Sequence, residues 1–192
     1  MKEIYNQIWK LAKPYYEKGR PMDIGHVSWM MVEAEKVCQA EGLDDSLLLP
    51  LVILHDVGYA EVPNDNPFKI DMRKDHMRAG AEIAERILGD MNYPADKKDK
   101  IVYYISVHDN WALGDDSVYE DKIMSVFNDL DFTWIVAPNG LEGLADILEK
   151  SLEETLKWVE NDDKPDRRPF ATETTKKLFE TLLEARRKEV RG

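Results

Sequence analysis

Residues 46–59, SLLLPLVILHDVGY, constrain the fold more than any other stretch. An apolar run long enough for a buried helix ends at His55 and Asp56, two ionisable groups that an apolar interior does not tolerate unpaired. A metal cation is the least costly partner for them, because neutral imidazole and carboxylate are both ligands. Gly58 follows and is expected to close the helix in a left-handed conformation. That would put His55 and Asp56 in the last turn, at the carbonyl end, where the helix dipole favours a cation.

Apolar periodicity near that of a helix runs through the rest of the chain, and no segment alternates as a strand does. The expected fold class is therefore all-α, a single helical bundle-like domain of about seven or eight helices. Ile4, Ile8, Leu11, Ala12 and Tyr15 mark a first amphipathic helix that Gly19 and Pro21 stop. A second starts near Asp23, an expected N-cap, and carries His26 in its first turns. The third opens at Asp44, Asp45 or Ser46, with Pro50 bending it or delaying its regular start. Residues 57–73, with Pro63, Asn64, Asn66 and Pro67, read as a loop leaving the His-Asp end, of the kind that gates a site or binds its ligand.

A fourth helix over about 74–88 places His76 on a core-facing stripe with Gly80, Ile83 and Ile87. A fifth over about 95–107 places His108 at the inner face of its end. In the sixth, from about Val118, Asp131 shares an apolar stripe with Met124, Phe127, Trp134 and Ile135, whereas Asp129 groups with Val126 off that stripe. A seventh helix over about 141–159, a linker over 161–169 and a last helix through Leu178, Leu182 and Leu183 complete the chain.

The balance of 26 Lys+Arg against 38 Asp+Glu gives a net charge of −12, which argues against a nucleic-acid partner, where a basic face supplies most of the affinity. A small phosphate remains compatible, since a local cation cluster can hold one. Cys38 is the single cysteine and falls in an apolar stripe with Met30, Met31, Ala34 and Val37, as a small buried hydrophobe does. Glu3, Lys10, Lys13 and Glu17 interrupt the first apolar stretch, and no stretch of 18 apolar residues occurs. No membrane partner is expected, and the location expected is cytoplasmic.

The chain has four histidines, His26, His55, His76 and His108, each at a helix end or on an inward face. In order, His26, His55-Asp56, His76, His108 and Asp131 form a pattern that resembles the HD-domain superfamily of metal-dependent phosphohydrolases, in its two-metal H...HD...H...H...D subtype. The apolar run before His55, Gly58 after it, the segment HMRAGAEIAERIL and the segment DLDF carry the resemblance, which covers about residues 23–135. It implies one HD-type domain over 1–192, with a core of 23–135 and C-terminal helices 139–192 packed on it. It further implies that His26, His55, Asp56 and Asp131 hold one metal ion, that His76 and His108 hold a second, and that Asp56 bridges the two. Asp131 is preferred to Asp129 because the family's Asp ends a D-x-D pair and because of its inward stripe. Where some members carry a Lys after the His-Asp pair, this chain has Tyr59. The second pair, His108-Asp109, fits an inward His and a solvated Asp.

Mixed imidazole and carboxylate donors, with no thiolate, suit iron or manganese, and admit magnesium, cobalt or nickel. Two divalent or transition metal ions bridged by Asp56 would make a shared water a hydroxide near neutral pH and polarise a phosphoryl oxygen. The function expected is hydrolysis of a phosphoester or phosphoanhydride in a small metabolite or nucleotide, with Asp56 catalytic. The alternative on the same ligands is a di-iron oxygenase that cleaves a carbon bond with dioxygen. Arg73, Lys74 and Arg78 cluster around His76 and are the candidate substrate-binding residues, and Arg20 lies just before His26. The partner expected is a small phosphorylated substrate, and a homo-oligomer is compatible with the sequence.

Overall fold

A computed structural model describes residues 1–62 and 69–192 of the chain. The chain divides into two compact units, Met1–Met124 and Ser125–Gly192. Among the described residues there are helices and turns and no strand, in agreement with the all-α expectation.

The first unit is built around α3, Asp45–Leu54, in which every residue from Leu47 to Leu54 is buried. α1 (Glu3–Lys18), α2 (Asp23–Glu41) and α5 (Ala95–Val107) pack against it, while α4 (Ile70–Asp90) packs on α5 and on the 3-10 turn Val57–Ala60. Asp44 caps α3 by accepting from Ser46 N at 3.0 Å. Pro50 sits inside α3 and cannot donate to the Ser46 carbonyl one turn back. Tyr93 Oη donates to that carbonyl instead, at 2.8 Å, and the helix continues. At the other end, Tyr16 Oη donates to Ile53 O at 2.9 Å, satisfying one of the carbonyls that a helix terminus leaves over.

Three sequence expectations change here. α1 buries Tyr5, Ile8, Ala12 and Tyr16, whereas Leu11 is 45% exposed. A tyrosine whose hydroxyl finds a carbonyl inside packs as well as a leucine, and apolar periodicity alone does not register that. α4 starts at Ile70, earlier than expected, so the loop before it is shorter; Pro63, Asn64, Asn66 and Pro67 lie outside the described residues. Gly58 does not adopt the left-handed conformation, since the positive-φ glycines are Gly42 and Gly114. It is there for close approach, because a Cβ would lie 1.9 Å from His76 O and 2.5 Å from Gly80 N.

α6, Lys122–Thr133, runs on past the first unit's last residue, Met124. The second unit adds α7 (Gly140–Leu148), α8 (Leu152–Glu160), the single turn α9 (Lys164–Arg167) and α10 (Glu173–Arg191). Its core is Val136, Leu141, Leu156, Val159, Phe179 and Leu183. The helix expected over 141–159 is two helices: Glu149 takes φ 52°, and Ser151 with Glu154 forms a capping box that starts α8. The linker expected over 161–169 contains α9, whose Lys164 is buried. Cys38 is buried, as expected. No described helix is long and apolar enough to cross a membrane.

Candidate metal centre

α3 and α5 end in the same way. His55 closes α3 and His108 closes α5, both in helical conformation, and each sets its Nδ1 against a carbonyl of the preceding turn, Val52 O at 2.9 Å and Ile105 O at 2.8 Å. Each is followed by an aspartate with φ −103° and then by a 3-10 turn, Val57–Ala60 and Asn110–Leu113. The His-Asp dipeptide thus recurs as backbone geometry as well as sequence. His76 projects inward from α4, with its Nδ1 against Met72 O at 3.1 Å.

A carbonyl oxygen only accepts, so in all three rings Nδ1 donates, and the Nε2 of each neutral imidazole presents a lone pair. These Nε2 atoms meet at one carboxylate. His55 Nε2 is 3.3 Å from Asp56 Oδ2, and Asp56 Oδ1 is 3.3 Å from His108 Nε2 and 3.5 Å from His76 Nε2. His76 and His108 face each other, Nε2 to Nε2, at 3.2 Å. Acceptors are set against acceptors, and a shared cation satisfies all of them at once. The residues present therefore fit a divalent metal. Burial acts to raise the pKa of Asp56; when the rings are instead protonated and donate, His55, with His108 and His76, overrides the effect of burial and holds the Asp56 carboxyl well below its ordinary range. Burial likewise works to lower His108, and Asp56 with Asp109 turns the net direction upward.

His26, in the first turns of α2, meets His55 edge-on, ring centroids 5.4 Å apart. Ligand atoms of Asp23, His26 and Asp56 lie within 4.8 Å of one another, as do those of Asp56, His76 and His108, so Asp56 belongs to both groups. Asp23 is not the N-cap expected: Met22 takes that position, and the Asp23 side chain is buried beside Arg20, whose Nε is 3.2 Å from Oδ2. Burial pushes the Asp23 pKa up to about 6, against the pull of Arg20. Tyr59 lies flat on His76, centroids 4.1 Å apart and planes 7° from parallel, and the Arg20 guanidinium covers the Tyr59 ring at 4.5 Å.

Of the basic residues expected around His76, Arg73 is beside the cluster and the other two face elsewhere. Arg73 Nη1 is 2.5 Å from Asp109 Oδ2, and that oxygen is 3.7 Å from His76 Nε2. Lys74 and Arg78 are exposed and line a groove of about 340 Å³ between α4 and α5 whose walls include none of the histidines. Asp109, expected to be solvated, is 6% exposed and also accepts from Trp111 Nε1 at 3.1 Å. The expectation failed because a helix-end carboxylate reads as surface unless its partners, here Arg73 and Trp111, are known. Asp23, Tyr59, Asp109 and Trp111 are the site neighbours that sequence reasoning missed. The second His-Asp pair was the signal for two of them.

In the second unit, Asp129 is 1% exposed, against the expectation that it lies off the buried stripe. Its Oδ1 pairs with Lys164 Nζ, and its Oδ2 accepts from Thr175 Oγ1 and Ala171 N, both at 2.7 Å. Asp131 is half-buried. The flank of α6 that carries Asp129 looked polar because its partners come from α9 and the start of α10, remote in sequence.

An all-helical fold that gathers histidines and an aspartate around a common point defines a class of helical proteins with a candidate metal site. A family model described as HD domain matches residues 23–133, more than half of the chain, and the chain belongs to the HD domain family. This family is typically one of metal-dependent phosphohydrolases that bind divalent ions. No curated protein and no solved structure matches the chain.

Proposed function

We propose that the protein hydrolyses a phosphoester or phosphoanhydride bond in a small metabolite or nucleotide, with two metal ions held by His26, His55, Asp56, His76, His108 and Asp131. The observation that carries this reading is the convergence of three Nε2 lone pairs on Asp56, each ring fixed in its tautomer by a backbone carbonyl. Asp56, which belongs to both groups, would be the residue to hold both ions. Asp131 completes the set on the sequence pattern, and the Asp129 carboxylate is committed to Lys164, Thr175 and Ala171. Iron or manganese suits these donors best.

When bound, such ions supply Lewis acidity toward a phosphoryl oxygen and lower the pKa of a coordinated water. The chain's own part is preorganisation. The carbonyls of Val52, Met72 and Ile105 aim the imidazoles, the Tyr59 ring fixes the plane of His76, and burial strengthens each of these interactions. Elemental analysis after purification with added ions, combined with a panel of phosphomonoesters and nucleotides, tests the proposal. Close to two equivalents of metal with turnover of a phosphate ester is the expected result. Iron-loaded protein that hydrolyses none of the panel but consumes dioxygen with an organic substrate would overturn it in favour of the oxygenase alternative.

A further inference from the structure

We propose that Arg20 and Arg73 are two arms of an oxyanion clamp for the phosphoryl group of the substrate, and that Asp23 and Asp109 are the positioning residues that aim them. The inference rests on the phosphohydrolase reading and deepens it.

Four observations carry it. First, both arginine side chains are largely buried, 14% exposed for Arg20 and 12% for Arg73, whereas a charged side chain without a task stays in water. Second, each guanidinium is tied to a carboxylate, Nε of Arg20 to Asp23 at 3.2 Å and Nη1 of Arg73 to Asp109 at 2.5 Å, and Arg20 also hydrogen-bonds Tyr59. A guanidinium carries five N–H donors in a fixed fork, so such ties orient it without exhausting it. Third, the two carboxylates are the ones next to the histidines. Asp23 shares the group with His26 and Asp56, and Asp109 Oδ2 is 3.7 Å from His76 Nε2. Each guanidinium is therefore one carboxylate away from the metal-binding residues, on opposite groups of the site. Fourth, each guanidinium lies over an aromatic ring, Arg20 over Tyr59 at 4.5 Å and Arg73 over Trp111 at 4.8 Å. Tyr59 in turn stacks on His76, and Trp111 Nε1 donates to Asp109. The arms are rigid before any ligand arrives.

Charge gives the clamp an order of events. Asp23, Asp56 and Asp109 outnumber Arg20 and Arg73, so the cluster repels an anion until divalent ions are bound and then attracts one. Arginine also suits a tetrahedral oxyanion that is gripped bidentately.

The test uses Mn²⁺-loaded protein and inorganic phosphate, measured by isothermal titration calorimetry, with Arg20→Lys, Arg73→Lys and Asp109→Asn. Circular dichroism and manganese stoichiometry accompany each variant, and Arg73→Gln serves as a second variant at that position. Wild type is expected to bind phosphate only when loaded. Each Lys variant should bind it about 10-fold or more weakly at unchanged metal content, because a point charge replaces a fork. With a phosphomonoester turned over by the wild type, Asp109→Asn should raise KM more than it lowers kcat, which a merely structural staple would not do. If the wild type binds phosphate and the arginine variants bind it equally well, the clamp is wrong and the phosphohydrolase reading stands. If the loaded wild type takes up manganese and binds no phosphate, both fall.

Discussion

Lys164 Nζ is ion-paired with Asp129 Oδ1, and both side chains are 1% exposed. Burial works against both charges, raising the pKa of Asp129 and lowering that of Lys164, and the pair survives because Thr175 Oγ1 and Ala171 N satisfy the second carboxylate oxygen. The Lys164 ammonium also sits over the Phe170 ring at 3.9 Å. Asp129→Asn is expected to destabilise by about 3–5 kcal/mol, since it strands a buried ammonium. Lys164→Met should cost a similar amount. The double variant should cost less than either single change, because removing both charges removes the desolvation penalty too. Urea midpoints of the four proteins check this, and strictly additive losses would refute it.

The Tyr59 ring packs flat on the face of His76 and holds its plane. Tyr59→Phe keeps the stack and is expected to retain metal binding close to wild type. Tyr59→Ala frees the imidazole plane and should weaken metal binding by about 10-fold to 100-fold, the usual cost of losing an orienting partner behind a ligand. Competition titration with a chelating dye measures both.

Two glycines on α4 and its contact face give opposite expectations. Gly58→Ala would drive a Cβ to 1.9 Å from the His76 carbonyl, and should destabilise by about 1–3 kcal/mol or more while displacing His76. Gly89→Ala, where an added Cβ meets nothing within 4 Å, should stabilise by about 0.4–1 kcal/mol. Chemical denaturation separates them, and a neutral Gly58→Ala would show that α4 does not rest on the 57–60 turn as described.

Glu160 reaches Arg187 and Arg191, and hydrogen bonds from Arg191 first and Arg187 next lower its pKa from the ordinary carboxylate range to about 2. A carboxylate depressed on folding stabilises the folded state above its unfolded pKa and loses that contribution as pH falls through the folded one. Glu160→Gln should therefore lower the urea midpoint by a constant amount from pH 7 to about 5, and the gap should close between the ordinary carboxylate range and about 2. The pair is partly exposed, so the gap should also shrink in high salt. A gap that widens on acidification would contradict the assignment.

The fold class was readable because nearly every apolar segment repeats at helical spacing, and the four histidines were readable because they sit on that pattern. What the pattern did not contain was partnership. Asp23 read as a cap, Asp109 as a solvated carboxylate and Lys164 as part of a linker, since each is a charged residue in a polar setting. Each is buried by a partner that local sequence does not announce: Arg20, Arg73 and Asp129. Gly58 serves close approach and not a left-handed turn, and a residue required for the one looks like a residue required for the other in a sequence.

The choice between Asp129 and Asp131 rests on a different footing from the one the apolar stripe suggested. Burial alone favours Asp129, which is the more enclosed of the two. Its oxygens, however, are engaged by Lys164 on one side and by Thr175 and Ala171 on the other, and a carboxylate so engaged must give up charge-assisted bonds before it can take a metal. Asp131→Ala is therefore expected to lose metal as His26→Ala does, whereas Asp129→Asn should keep both ions while losing stability. Asp56→Ala should lose or weaken both, since Asp56 belongs to both ligand groups, and His76→Ala or His108→Ala should lose mainly one. Metal-to-protein ratios measured side by side, at a temperature where every variant is folded, decide the matter. An empty Asp129→Asn beside a full Asp131→Ala would reverse the assignment, and equal loss from His76→Ala and Asp56→Ala would show that one ion, not two, occupies the site.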